Sequence, residues 1–322
     1  MTTMGWIGID EAGYGPKLGP LVMTSVAVET SGSNRPDFWA NSAGEIGKAR
    51  DPAAALWIDD SKAIYQLKNG FERLEEGVLA AFAAAGLGAA RTYPELLDAA
   101  RAPGETRDDD EISYWCDKQA LKIPIDLSED RILRTVANRY FEKTGLRIVA
   151  VRSITLGPAR FNSGLTGDNT KADVHASVFC KLIAAERDDP AADSATIVCD
   201  KHGGRRFYQE MLAEVFPGVW IDRGGESATR SDYSVRLEGS RRFDLSFRAR
   251  ADGDDSIVAL SSMISKLLRE YWMILFNSFW LDRIPGLKPT AGYPGDAERF
   301  RSSTEPIARE LGLPIDRWWR KV

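Results

Sequence analysis

A chain of 322 residues with 43% hydrophobic and 28% charged residues can bury a large core, and its composition excludes disordered and fibrous classes. The formal charge of −5 gives no overall attraction to polyanions, so contact with nucleic acid would have to come from local patches. Three cysteines without C-x-x-C spacing argue against a disulfide framework or a zinc site. With no basic leader and no uninterrupted apolar span, the chain is expected to be soluble, cytoplasmic and free of membranes.

Trp6 to Ile9 predicts a short buried strand whose exit carries Asp10 and Glu11, followed at once by the loop Gly13-Tyr14-Gly15. The β-branched run 21–28 predicts a second strand, antiparallel to the first. Asp59-Asp60-Ser61-Lys62 is a capping sequence ahead of a helix over 63–85. The composition then changes: an Ala/Gly-rich stretch, a polar run over 103–110 and a helix-like 128–141 mark residues 86–144 as an inserted or peripheral helical subdomain. Residues 1–85 and 145–322 would form the main domain.

A strand over 147–156, an amphipathic helix over 173–186 and an apolar strand over 195–199 follow. A strand, helix, strand succession of this kind implies parallel pairing with a right-handed crossover, and the second strand ends on Asp200. Residues 234–251 alternate as two strands around a Gly-Ser turn and run into Asp252-Gly253-Asp254-Asp255. From Ser256 to Leu281 runs the longest helical pattern, with a Ser-rich first half suited to close packing and an aromatic run, Tyr271 to Trp280, suited to the core. Asp254 and Asp255 are read as its caps.

Asp10, Glu11, Asp200 and Asp252 all fall at strand exits or helix starts, where α/β sheets place their ligands. Several carboxylates at one sheet edge repel unless hard cations lie between them. Mg2+ or Mn2+ accepts such all-oxygen donors, and a two-metal site supports in-line phosphoryl chemistry. With only two histidines, His175 and His202, neither assigned a catalytic role, this fits better than a Ser-His or Cys-His centre.

The segment Gly8-Ile-Asp-Glu-Ala-Gly-Tyr-Gly-Pro-Lys-Leu-Gly-Pro20 resembles the opening motif of type 2 ribonucleases H. Asp60-Ser61-Lys62, Val198-Cys199-Asp200, Ala251-Asp252 with Val258 to Lys266, Gly292-Tyr293 and the closing Gly312 to Arg317 resemble the family's later motifs, in family order. The resemblance implies a ribonuclease H-like α/β fold: a mixed five-stranded sheet, three strands antiparallel and two added in parallel, flanked by helices. By similarity Asp10, Glu11, Asp200 and Asp252 would be the catalytic, metal-binding carboxylates of a two-metal Mg2+ or Mn2+ endonuclease that cleaves RNA in RNA/DNA hybrids. Gly13, Tyr14, Gly15, Ser61, Lys62 and Tyr293 would contact the nucleic acid. Tyr14 stands where the family carries a basic residue, which leaves room for a ribonuclease H-like nuclease with another nucleic-acid substrate. A noncatalytic nucleic-acid-binding protein that keeps the fold is the third reading.

Arg205-Arg206, Arg241-Arg242, Arg248 with Arg250, and Arg299 with Arg301 are either solvated faces or a basic surface. Interleaved Phe207, Tyr208, Phe243 and Phe247 suggest stacking partners for bases there, and strand alternation would put Arg248 and Arg250 on one face.

Overall fold

The computed structural model describes residues 4–30, 35–41, 44–88, 90–106, 115, 146–188 and 194–321. Seven strands form one mixed sheet: β1 (Met4–Ala12), β2 (Leu21–Thr30), β3 (Leu146–Leu156), β4 (Ser194–Asp200), β5 (Ile221–Glu226), β6 (Arg230–Arg236) and β7 (Arg242–Arg248). Their order is β3-β2-β1-β4-β7-β6-β5. The strands β3, β2 and β1 pair antiparallel, and β4 and β7 add in parallel. That is the five-stranded arrangement the resemblance implies.

Two strands beyond those five, β6 and β5, extend the sheet antiparallel past β7. The hairpin of β6 and β7 was legible from its alternation. By contrast β5 reads Ile-Asp-Arg-Gly-Gly-Glu, with one apolar residue and no periodicity, and its register to β6 shifts between Arg223 and Glu226. Such irregularity is typical of an edge strand that must not recruit another chain.

Besides a single turn at Phe38–Asn41, the α-helices among the described residues are α1 (Ser61–Tyr65), α2 (Gly70–Ala84), α3 (Tyr93–Ala99), α4 (Pro158–Ser163), α5 (Lys171–Asp188), α6 (Gln209–Val215), α7 (Ala251–Asp254), α8 (Ser256–Leu281) and α9 (Pro294–Glu310). The single helix expected over 63–85 is two, because the chain turns back at Gly70, where a Cβ would lie 2.3 Å from the Ile64 carbonyl. One face of the sheet packs Val22, Val26 and Val28 against α8. The other packs Ile7, Ile9 and Met23 against α5 through Val178, Phe179 and Leu182. The aromatic run is core: Tyr271, Trp272, Phe276 and Trp280 are buried.

Within the segment 86–144, α3 buries Tyr93 and Leu96 in the same core as α8, and Trp115 meets Phe276 edge-on at 5.0 Å or less between centroids (4.9 Å). The helix-like stretch 128–141 lies outside the described residues. No helix of the described residues is long and apolar enough to cross a membrane.

The serines of α8 explain how closely it lies on β1. Ser261 Oγ donates to the Gly8 carbonyl at 2.9 Å and Ser265 Oγ to that of Asp10 at 3.1 Å. A Cβ at Gly8 would come within 2.5 Å of the Ile257 backbone. Gly8→Ala is therefore expected to destabilise the protein by about 1–3 kcal/mol, the usual cost of overpacking. A thermal unfolding midpoint equal to wild type would contradict this contact.

Candidate active site

The first strand runs three residues further than its apolar pattern suggests, because pairing to β2 continues: Asp10 lies opposite Thr24, Glu11 opposite Met23 and Ala12 opposite Val22. Successive strand residues face opposite sides of a sheet, so the two acids diverge. Asp10 is 6% exposed and faces α8, where the Ser262 hydroxyl hydrogen-bonds its carboxylate. Glu11 reaches toward α5, with its Oε2 3.5 Å from His175 Nε2.

Asp200 ends β4, and its Oδ1 accepts the Ala251 N–H at 2.9 Å, fastening the start of α7 to the strand. Arg250, at φ +60°, makes the left-handed turn into α7, so it leaves the strand and does not share a face with Arg248 as alternation alone suggested. Asp252 follows in the first turn of α7, 9% exposed. Of the acids after it, Asp254 is exposed, while Asp255 caps α8 by accepting the Ile257 and Val258 N–H groups at 3.1 Å. Asp255 is also held by Arg35, whose Nη2 lies 2.9 Å from its Oδ1. Asp252 is thus the member of the triplet left to face the other carboxylates.

The electrostatics couple these acids. Burial, then Glu11, Asp200 and Asp252, holds the Asp10 carboxyl well above the usual carboxylate range. Burial also raises Asp200; the Ala251 N–H opposes the shift and Glu11 adds to it. Asp252 is pushed up to about 6 by burial, Asp60 and Asp200, with Lys62 pulling the other way. Burial tends to lower the Lys62 ammonium, but Asp60, Asp252, Asp10 and Asp200 together raise it. One exposed lysine thus stands against a cluster of acids that resist shared ionisation.

The expected substrate contacts divide. Gly13 and Gly19 have φ of +88° and +83°, and a Cβ at Gly13 would lie 2.3 Å from the Pro20 carbonyl, so the loop requires glycine there. The buried Arg320 grips this loop from the far end of the chain, its Nε donating to Gly19 O at 2.8 Å and its Nη1 to Gly13 O at 2.6 Å. Gly15 is exposed, and Tyr293 is brought beside it by the Lys17 N–H bond to Gly292 O at 2.8 Å. The Tyr293 ring is 52% exposed. Tyr14 lies under the Lys171 ammonium at 4.3 Å and meets His175 edge-on at 5.0 Å. Ser61 turns inward, its hydroxyl bonded to that of Ser262 at 3.0 Å, whereas Lys62 is exposed at the acid cluster.

Sequence reasoning missed Asp60, Arg35 and the contact of His175 with Glu11. Asp60 carried one signal, its helix-capping position, and its side chain does accept the Lys62 N–H at 2.7 Å. Arg35 carried none. Its guanidinium joins Ile7 O at 3.2 Å and Thr196 O at 3.3 Å as well as Asp255, tying β1, β4 and the start of α8 together.

Among the described residues, no three His, Cys, Asp or Glu side chains already close on a single point as ligands would. The donor chemistry nevertheless suits a hard divalent cation: every candidate is a carboxylate, and a cation between them offsets both the burial and the neighbouring acids that raise Asp10 and Asp252. The sign for the metal-free protein follows. An acid whose folded-state value lies above its unfolded one is favoured protonated in the fold, so ionising it costs stability. From Asp252, stability is expected to fall by on the order of 1–3 kcal/mol as pH rises from about 4 through about 6. Asp252→Asn should flatten that slope in chelator; an unchanged pH profile of the unfolding midpoint would contradict the shift.

No protein family matches the chain by sequence, and no curated protein matches it either. Among solved structures, it is similar to the ribonuclease HII of Archaeoglobus fulgidus determined in complex with PCNA, with 12% identity, 98% of this chain and 93% of that one covered, and a TM-score of 0.40. It is similar to the ribonuclease H2 of Pyrococcus horikoshii OT3 at 14% identity, covering 98% and 92%, with a TM-score of 0.40. A likeness to a Bst ribonuclease HIII determined with Mn2+ has 15% identity, covers 99% of this chain and 66% of that one, and has a TM-score of 0.38.

Proposed function

We propose that this chain is a divalent-cation-dependent endonuclease of the type 2 ribonuclease H kind, hydrolysing the RNA strand of RNA/DNA hybrids. What supports the reading is the placement of Asp10, Glu11, Asp200 and Asp252, four carboxylates from three separate parts of the chain, at one end of the paired strands β1 and β4. Repulsion among buried acids is costly, and a cation-binding role is what offsets the cost.

Asp10, Glu11, Asp200 and Asp252 would hold Mg2+ or Mn2+. Such ions, when bound, supply charge stabilisation for in-line phosphodiester hydrolysis and an activated water. The chain's own groups do the rest. Lys62 offers a cation to a phosphate at the cluster, the exposed Gly15 lets a strand approach the backbone, and Tyr293 presents a ring against a sugar. Arg35 and Asp255 fix the start of α8, which keeps Asp252 close to Asp200.

Tyr14 favours a second possibility within the same chemistry, a different preference among ribonucleotide-containing duplexes, because its hydroxyl and ring replace a basic group in the loop. The test is cleavage of a labelled RNA/DNA hybrid and of duplex DNA with one embedded ribonucleotide, in Mg2+ and in Mn2+. Cutting of the hybrid supports the reading, and the ratio of the two rates reads the effect of Tyr14. Failure to cut either substrate with metal bound would overturn it.

A further inference from the structure

The two strands that extend the sheet create a second feature on the same face as Asp10 and Asp200. On that face, outward residues of β5, β6 and β7 line an open groove of about 500 Å³. Four arginines point into it, Arg230, Arg236, Arg242 and Arg248, against Asp222, Asp232 and Asp244, while Arg223 borders it but is the register partner of the buried Tyr233 and so faces the other side of the sheet. The local balance is positive in a chain whose formal charge is −5.

The arrangement is more specific than a solvated strand face. Arg230 lies directly opposite Arg248, and Arg236 directly opposite Arg242. Like charges in opposed positions destabilise a sheet. Arg230 and Arg242 are relieved by ion pairs to Asp232 and Asp244 on their own strands, at 2.8 and 2.9 Å. Arg236 and Arg248 make no ion pair among the described residues, and Arg248 Nε donates to the Ser246 hydroxyl at 3.0 Å. The Ser234 hydroxyl, also in the groove lining, is buried with no hydrogen-bond partner among the described residues.

Position and shape add to the charge. Arg248 is the register partner of Asp200, so the groove begins beside the acid cluster. The two arginine pairs are six residues apart along β6, about 20 Å at the usual strand rise. That length matches about six base steps of duplex. Trp220, 81% exposed, donates its indole N–H to Asp222 at 2.8 Å, which fixes a bare aromatic ring at the groove's edge and occupies one of its three carboxylates.

We infer that the arginine groove of β5, β6 and β7 binds the phosphodiester backbone of a nucleic-acid strand, as an extended contact continuous with the acid cluster. The identity of the polyanion rests on the nuclease reading; the groove's charge and geometry do not. Arg236 and Arg248 neutralise phosphates, and Trp220 offers a stacking surface at the end of the track.

The test measures binding of a fluorescently labelled RNA/DNA hybrid by anisotropy across a salt series, with the full chain carrying Asp10→Asn to prevent cleavage. Adding Arg236→Gln and Arg248→Gln, the first exposed and the second half-buried, is expected to weaken binding and to lower the slope of log affinity against log salt by about two. The Arg236→Lys/Arg248→Lys pair should keep the slope. If the double glutamine protein loses its native circular dichroism, Arg236→Gln alone is expected to lower the slope by about one. Affinity and slope unchanged by these substitutions, with the parent still binding, overturn the groove and leave the nuclease reading intact. A parent protein that fails to bind the hybrid overturns both.

Discussion

Asp10→Asn is expected to lower single-turnover cleavage of an RNA/DNA hybrid by about a thousandfold or more while leaving the fold unchanged. The magnitude follows from the several kcal/mol of charge stabilisation a hard cation supplies at a transferring phosphoryl group, at one factor of ten per 1.36 kcal/mol. The fold survives because the substitution removes the penalty and keeps the contacts. Asp10 is buried, opposed by three neighbouring acids and shifted toward its protonated form, so a neutral amide of the same shape is better tolerated in metal-free protein. Its Oδ1 can still accept from Ser262, and the backbone carbonyl that accepts from Ser265 is untouched. The unfolding midpoint without metal should therefore be equal to or above wild type. A large fall in that midpoint would assign Asp10 a structural role, and retained activity would remove it from the chemistry.

Arg320→Ala is expected to be the most damaging single change outside the acids, at about 3–5 kcal/mol of stability, because it strips charged donors from buried carbonyls. Arg320 is 0% exposed and stacks on Phe161 with its guanidinium 4.7 Å from the ring centroid. It holds the carbonyls of Gly13 and Gly19, and its own N–H donates to Lys17 O at 2.9 Å. Without it the glycine loop loses its support, and Gly15 and Tyr293 lose the frame that brings them together. Arg320→Lys should recover only part of the loss, since one ammonium cannot span two divergent carbonyls as a guanidinium does. Urea unfolding checks the prediction; a midpoint within about 0.5 kcal/mol of wild type would contradict it.

The legible parts of this molecule were those encoded within a few residues. Asp10 and Asp200 could be placed because each closes an apolar strand, and the helix from Ser256 to Leu281 because its pattern is long and its cap, Asp255, immediately precedes it. What escaped depends on partners far along the chain. Arg320 meets Gly19 across 301 residues and Arg35 meets Asp255 across 220, and no local periodicity marks either arginine. The faces of the β6–β7 hairpin were misread for a related reason. Tyr208, Phe243 and Phe247 were grouped with the arginines as one surface, yet all three are buried, and Tyr208 stacks on Phe247 at 3.6 Å. Alternation sends residues 243 and 247 inward and 242 and 248 outward, so adjacency in sequence meant opposite faces in space. Phe207, the fourth ring of that group, is 68% exposed, and the exposed ring at the groove is Trp220, immediately before β5, the strand whose sequence carried no strand signal.

The central claim is that the four carboxylates form a divalent-cation site, and calorimetric titration of the metal-free protein with Mn2+ near pH 6 tests it most directly. Because burial and mutual repulsion hold protons on Asp10 and Asp252, metal entry must displace them. Saturable binding is expected in the millimolar range or tighter, with a heat that changes with the buffer's ionisation enthalpy, and both are expected to disappear in Asp10→Asn. No saturable heat at millimolar Mn2+, or an isotherm that Asp10→Asn leaves unchanged, would contradict it.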